Sequence, residues 1–193
     1  MKNIFKSIFV AIIVVGGFTS CTESDLAIDN LYDNVDTSGS ALRILAYPAD
    51  IVGLPGGSFP ADSIYFRTEV QQGDGSFPPE FKEVRVKLQI FEDQDTEIPL
   101  SEQVVYRTIT SEEFIELSTA NGLPVTDIII NTEDLFDYFT NIGTEFSIPA
   151  FILTNFELEM SDGRVWDASN AGGTLSGPYF ESPFAYRTIA IFN

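Results

Sequence analysis

The chain has 193 residues, with 29 acidic and 10 basic side chains and a formal net charge of −19. Such a charge repels nucleic acid and anionic surfaces, which argues against DNA or RNA as a partner. Because it contains no histidine and one cysteine, the chain can form no Ser-His-Asp or Cys-His catalytic site, no His/Cys zinc site and no internal disulfide.

Residues 1–20, MKNIFKSIFVAIIVVGGFTS, have the layout of a secretory signal peptide. Two lysines are followed by an apolar stretch, and small residues come just before Cys21. The uncharged stretch 7–20 would span about 21 Å as a helix, short of the roughly 30 Å hydrocarbon core of a bilayer. We therefore expect a cleaved signal and no permanent membrane span.

Phe18-Thr19-Ser20-Cys21 resembles the lipobox of bacterial lipoproteins, although Leu is commonest where Phe18 stands. In that family the cysteine is diacylated, the preceding peptide is removed and the new N-terminus is usually acylated, so the resemblance implies palmitate-like chains on Cys21. Each buried CH₂ contributes about 0.8 kcal/mol, and two or three chains anchor a protein stably. The alternative is an ordinary signal peptide with an accidental cysteine, but an unpaired thiol is a liability in an oxidising compartment.

Residues 21–41 combine the acylated cysteine with an acidic, polar segment that has neither a helical nor a strand period. This composition predicts a flexible tether between lipid and domain. Thr22-Glu23-Ser24-Asp25 resembles the signal that sends Bacteroidota lipoproteins to the outside of the outer membrane. The alternative location is the periplasmic side of the same membrane.

From residue 42 onward the pattern is that of β-strands separated by loops rich in proline and glycine, the first loop lying between Pro48 and Ser63. The clearest strand is 83–91, in which apolar and polar residues alternate. The predicted strands are 42–47, 63–70, 83–91, 103–109, 126–132, 145–160, 164–169 and 184–192.

One or two short helices are predicted in the connections: a helical turn is possible over 111–117 with Ser111 as its cap, and a short helix is predicted over 132–139 with acidic residues in its first turn. Ser161-Asp162-Gly163 predicts a tight hairpin turn. Because the strands do not alternate with helices, we predict an all-β fold: a single immunoglobulin-like antiparallel β-sandwich over residues 42–193.

Three segments, GLPVTDIIINTEDLFDYF, FELEMSDGRVWDASNAGGTLSG and YFESPFAYR, resemble the C-terminal half of small Bacteroidota lipoproteins encoded beside SusC/SusD-type uptake pairs. The chain departs from that group at Ser161, where Thr is more usual, and at Trp166, where Phe is. The resemblance implies an accessory surface role in nutrient capture. It brings no catalytic residues.

The acidic stretch from Glu92 to Glu97 is a candidate calcium site, with Asp93, Asp95 and Glu97 as oxygen ligands. An EF-hand loop starting at Asp93 is excluded, because its sixth position is Ile98 instead of Gly and its twelfth is Val104 instead of Glu. A solvated acidic loop is the favoured interpretation.

Trp166, Tyr179 and Phe180 lie beside loops rich in glycine and proline, where exposed rings could stack on a sugar or another flat ligand. Packing in the core is the favoured interpretation for the aromatic residues of this region, above all for Phe184 and Tyr186, which are two apart and share a strand face. Asp162, Asp167 and Asn170 flank the hairpin and are expected to be structural.

These observations predict a lipid-anchored lipoprotein of the outer membrane, facing the cell exterior and serving a glycan or peptide uptake system as an accessory binding module. The expected partners are the bilayer through Cys21, a SusC/SusD-like complex and a glycan or peptide, with no cofactor. One alternative is a structural docking lipoprotein without a small ligand. A carboxylate-dependent hydrolase is a further alternative, but no enzyme is expected, since with 29 acids chance carboxylate pairs are unavoidable.

Overall fold

The computed structural model describes residues 39–53, 61–72, 80–171 and 183–191. The predicted signal peptide and most of the predicted tether therefore lie outside the described residues, as do Cys21, Tyr179 and Phe180. The elements in chain order are β1 (Ser40–Ala46), β2 (Ile51–Gly53), β3 (Ser63–Gln72), β4 (Phe81–Phe91), β5 (Val104–Thr110), β6 (Glu116–Leu117), β7 (Pro124–Asn131), α1 (Thr132–Asn141), β8 (Ala150–Met160), β9 (Val165–Trp166) and β10 (Ala185–Ile191).

The strands form two sheets. A four-stranded sheet has the order β1-β3-β7-β6 and is antiparallel throughout. A six-stranded sheet has the order β2-β10-β8-β4-β5, with β9 added beside β8. This second sheet is mixed, because β2 runs parallel to β10 while its other pairs are antiparallel.

One cluster of buried apolar side chains joins the two sheets. Phe66 on β3 meets Phe156 on β8 edge to face, with ring centroids 4.9 Å apart. On β4 the predicted alternation is confirmed, since Val84, Val86 and Leu88 are fully buried while the residues between them are not. Burying each such side chain contributes about 1.5–3 kcal/mol. The fold is mostly β with little helix, as predicted, and is consistent with a β-sandwich.

The strand β2 was not predicted, because its three residues lie inside a segment rich in proline and glycine. Val52 is fully buried, and β2 pairs with β10, more than a hundred residues later in the chain. A pairing between such distant segments has no local sequence signal. The strand β1 also begins at Ser40, slightly before the predicted start at Leu42.

The helix predicted over 111–117 is wrong in its extent. Only a single 3-10 turn forms, at Ser111–Glu113, and residues Glu116–Leu117 form the edge strand β6. The carboxylate of Glu113 accepts a hydrogen bond from the backbone N–H of Thr110 at 3.0 Å. The capping residue is therefore Thr110 and not Ser111.

The helix predicted over 132–139 is confirmed as α1, which buries Leu135, Phe136 and Phe139. The strand predicted over 145–160 begins only at Ala150. The preceding segment instead packs against α1, where the ring of Phe146 stacks on that of Phe136 at 4.9 Å. Among the described residues, no helix combines the length and the apolar character needed to cross a bilayer.

Candidate functional site

A cavity of about 220 Å³ opens on the six-stranded sheet, on the face that points away from the core. We call it the β8 cavity. Its lining consists of Lys87, Gln103, Asn155, Phe156, Glu157, Asp167, Ala168 and Ser169.

Strand register brings the floor of the β8 cavity together. Lys87 on β4 lies directly opposite Asn155 on β8, and Arg85 lies opposite Glu157. Because side chains alternate along a strand, the side chains of these four residues share the outer face, while Phe156 between them is buried in the core. The register of β4 and β8 therefore decides which polar groups meet.

One wall of the cavity is the turn after β9. Asp167 Oδ1 accepts hydrogen bonds from the backbone N–H of Ser169 at 2.7 Å and from its hydroxyl at 2.5 Å. Asn170 closes the turn, since its Oδ1 accepts from the backbone N–H of Asp167 at 2.8 Å. The hydroxyl of Ser169 is the main cause of the lowered pKa of Asp167. The structural role predicted for Asp167 and Asn170 is confirmed, and Asp167 also lines the cavity.

Glu157 is held at the cavity floor by two cationic side chains. Its carboxylate accepts hydrogen bonds from both Lys87 and Arg85. Burial by itself would raise the pKa of Glu157, but the hydrogen bonds from Lys87 and Arg85 outweigh it and the pKa is lowered. Arg85 is held in turn by Glu83 at 2.6 Å and by Glu159. This network keeps the ionised carboxylate in place at the cavity floor.

Two amide side chains of the lining have no partner within the described part of the chain. These are Gln103, which is exposed just before β5, and Asn155, which is half-buried in the middle of β8. Each carries an NH₂ donor and a carbonyl acceptor. The cavity therefore presents unpaired donors and acceptors beside charges that are already paired.

The charges of the lining are one ammonium, on Lys87, and two carboxylates, on Glu157 and Asp167. The formal net charge of the lining is therefore −1. An anion would meet repulsion here, whereas a neutral polar ligand would not.

Trp166, a possible ligand contact for which packing was the favoured interpretation, lies opposite Leu158 on the side of β8 that faces the core. Its ring is half-buried and packs against the core cluster, and it is not part of the cavity lining. Its buried Nε1 has no hydrogen-bond partner among the described residues. Phe184 and Tyr186 were expected in the core on one strand face. Phe184 is fully buried but precedes β10 with a φ of 56°, and Tyr186 is half-buried and packs against the core cluster. Tyr179 and Phe180 lie outside the described residues, so their role stays a prediction.

The acidic segment predicted as a calcium candidate forms a turn. The carboxylate of Asp93 accepts from the backbone N–H of Glu97 at 2.9 Å and from that of Ile98 at 3.2 Å. No group of three or more acidic, histidine or cysteine side chains able to hold a metal occurs among the described residues. Asp95 and Glu97 are exposed. The turn accounts for Asp93 without a cation.

Sequence reasoning did not find Lys87, Gln103 or Asn155 as site residues. The alternation of 83–91 placed Lys87 on the polar face of its strand, but nothing local indicates that Asn155 faces it across β4 and β8. The signal that could have drawn attention to β8 is the polar residues at alternate positions in its second half, Asn155, Glu157 and Glu159.

No protein-family model matches the chain, and no curated protein is significantly similar to it.

Proposed function

We propose that the chain is a lipid-anchored lipoprotein of the outer membrane, facing the cell exterior, and an accessory binding module of a glycan or peptide uptake system. The anchor in this proposal is supported by the order of features at the N-terminus: two lysines, an apolar stretch, small residues, Cys21 and then an acidic segment. The uptake role is supported by the resemblance of residues 122–139, 156–177 and 179–187 to lipoproteins encoded beside SusC/SusD-type pairs. Acylation of Cys21 would hold the β domain at the membrane surface.

The two carboxyls of the β8 cavity are better suited to passive binding than to proton transfer. A general acid acting near neutral pH needs a raised pKa. Both carboxyls that line the β8 cavity have lowered pKa values, Asp167 chiefly through the hydroxyl of Ser169, and Glu157 because its hydrogen bonds outweigh its burial. Both are also committed to partners within the protein. Such groups can hold a ligand but are poorly suited to transfer protons.

An immunoglobulin-like arrangement of the strands is part of the same proposal. Two sheets packed over one core, in a domain with short helical connections, support it. In this arrangement the anchor would confine the domain to the membrane plane and raise its effective concentration near a transporter. The domain would then deliver or retain ligand without doing chemistry.

The anchor is tested by expressing the full chain and its Cys21→Ala variant in a Bacteroidota host supplied with labelled palmitate. We expect the unmodified chain to take up the label, to sediment with outer membranes and to be digested by protease added to intact cells. Cys21→Ala should take up no label and should retain the signal segment. Ser20→Ala is the matched control, since it keeps a small residue before the cysteine and should behave like the unmodified chain.

Equal labelling and equal sedimentation of Cys21→Ala and the unmodified chain would contradict the proposed anchor. Labelling without digestion by external protease would place the protein on the periplasmic side instead.

A docking lipoprotein without a small ligand is the second candidate, favoured by exposed apolar side chains at the edge of the four-stranded sheet. Ile115, just before β6, is 86% exposed, and Leu117 in β6 is 63% exposed. Exposed apolar groups at a sheet edge are typical of contacts with another protein. Recovery of an outer-membrane transporter by crosslinking, lost in an Ile115→Ser/Leu117→Ser variant, would favour this candidate.

A further inference from the structure

We infer that the β8 cavity binds one neutral sugar residue through the amides of Gln103 and Asn155. This inference rests on the proposed role as a binding module, but it does not depend on the anchor at Cys21. It selects a glycan over a peptide as the ligand.

The size of the cavity limits the ligand to one ring. Pockets for drug-sized ligands enclose roughly 300–1,000 Å³, and the β8 cavity encloses about 220 Å³. A single sugar ring is of this scale, and the rest of an oligosaccharide would extend into solvent. The site therefore suits one unit of a longer chain.

The charge of the lining favours a neutral ligand. Glu157 is paired with Lys87 of the lining and with Arg85, whose charge is shared with Glu83 and Glu159, and Asp167 is engaged by the turn amides. A cation would have to displace these partners, while a carboxylate or a phosphate would add to a net charge of −1. Neither a cationic nor an anionic ligand would therefore bind favourably to this lining.

The hydrogen-bonding groups of the lining match sugar hydroxyls. Each hydroxyl can donate once and accept twice, and adjacent hydroxyls present donors and acceptors side by side. The amides of Gln103 and Asn155 offer the same combination, and Asn155 is half-buried without a partner among the described residues. The amide of Asn155 is not among the buried polar atoms left without a partner, so it stays in contact with water, and a sugar hydroxyl can replace that water.

A peptide fits the cavity less well. Extended peptides commonly bind by adding a strand to a free sheet edge. At Asn155 the backbone of β8 is already paired on both sides, with Lys87 of β4 and with Ala185 of β10. The backbone of β8 at the cavity floor therefore has no free hydrogen-bonding edge to which a peptide strand could be added.

Affinity should be modest. Phe156 is the only ring among the lining residues, and it is buried on the core side at 2% exposure. Without a ring to stack on the sugar face, hydrogen bonds alone carry the interaction. We expect dissociation constants in the millimolar range.

The test is a titration of the ¹⁵N-labelled full chain, kept in a detergent that has no sugar headgroup. The probes are glucose, galactose, mannose and N-acetylglucosamine. Each is added at concentrations up to about ten times the expected millimolar dissociation constant. We expect at least one sugar to produce saturable shifts in the side-chain NH₂ signals of Gln103 and Asn155. Gln103→Ala should weaken binding by about tenfold, since one hydrogen bond is lost.

Gln94→Ala is the matched control, because Gln94 is also exposed but does not line the cavity. It should leave binding unchanged. Absence of saturable shifts with all four sugars would overturn the inference, as would binding that Gln103→Ala leaves intact. Saturation by a neutral capped dipeptide in place of a sugar would also overturn it, in favour of peptide recognition.

The two proposals fail separately. Sugar binding together with an unlabelled Cys21 would uphold the inference and reject the anchor. Labelling of Cys21 together with no sugar binding would reject the inference, and the docking lipoprotein without a small ligand would then be the favoured function.

Discussion

Arg43 on β1 donates a hydrogen bond of 2.6 Å to the carboxylate of Glu69 on β3, and the side chain of Glu69 is fully buried. The two residues are direct partners in the register of the β1–β3 pair. Asn121 adds a second donor, with its Nδ2 at 3.2 and 3.3 Å from the two carboxylate oxygens. A charge buried in this way is tolerated only while its partners remain in place.

Replacing Arg43 by Met, which keeps an apolar stem but removes the guanidinium, should lower the free energy of unfolding by about 3–5 kcal/mol, because it leaves an uncompensated buried carboxylate. Denaturant unfolding monitored by circular dichroism measures this loss. Adding Glu69→Gln to the same chain should recover much of it, since the buried charge is then gone.

The control for Arg43 is Arg107→Met, which breaks an exposed ion pair with Glu113. Exposed pairs contribute about 0–1 kcal/mol. Equal losses of stability in the two variants would show that burial of Glu69 does not increase the cost of removing its partner.

We expect the protein to lose stability at alkaline pH because of the environment of the Tyr186 hydroxyl. Burial, together with the hydrogen bond that it donates to Asp50 at 3.0 Å, raises the pKa of Tyr186 to about 12. A raised pKa in the folded state means that the stabilising contribution is complete below the pKa of the unfolded chain, near 10. It is lost as the pH rises from there through about 12.

The stability difference between the unmodified chain and Tyr186→Phe should therefore shrink across that window, measured by denaturant unfolding at each pH. Tyr138→Phe is the matched control, because its hydroxyl has no hydrogen-bond partner among the described residues while its ring also packs on other rings. Its stability curve should stay parallel to that of the unmodified chain. A constant difference for Tyr186→Phe would count against the role given to its hydroxyl.

A side chain at Gly163, in the hairpin between β8 and β9, should lower the free energy of unfolding. Its φ of +87° lies in the left-handed region, where a side chain costs about 1–2 kcal/mol. Gly163→Ala should therefore reduce the free energy of unfolding by about that amount, measured by thermal or denaturant unfolding. Gly39→Ala is the control, because Gly39 has similar free space around it but no positive φ. Equal effects at both glycines would contradict the conformational explanation.

Local patterns predicted the strongest elements of the fold. The alternation over 83–91 was enough for β4, and Asp162-Gly163 was enough for the turn, in which Arg164 Nε donates to Asp162 Oδ2 at 2.7 Å. The predictions were wrong where contact with a segment distant in the sequence determines the local structure. The strand β2 exists because β10 pairs with it, and residues 145–149 lie outside β8 because Phe146 packs on α1.

The candidate site was less predictable than the fold. The turn roles of Asp167 and Asn170 follow from neighbours within a few residues, so the sequence indicated them. The β8 cavity needs Lys87, Gln103 and Asn155 together, and these come from three separate parts of the chain. Trp166 was singled out by residue type alone, and pairing with β8 turns its ring toward the core.

By itself the sequence determined the all-β class, the alternating face of β4 and the absence of any histidine or disulfide chemistry within the chain. These follow from composition and from the period of two along a strand, which are local properties. Only the tertiary structure decided that Lys87 lies opposite Asn155 and that Arg43 lies opposite Glu69 and pairs with its carboxylate. Register between strands far apart in the chain is set by how the two sheets bury their apolar faces together, and no short segment carries that information.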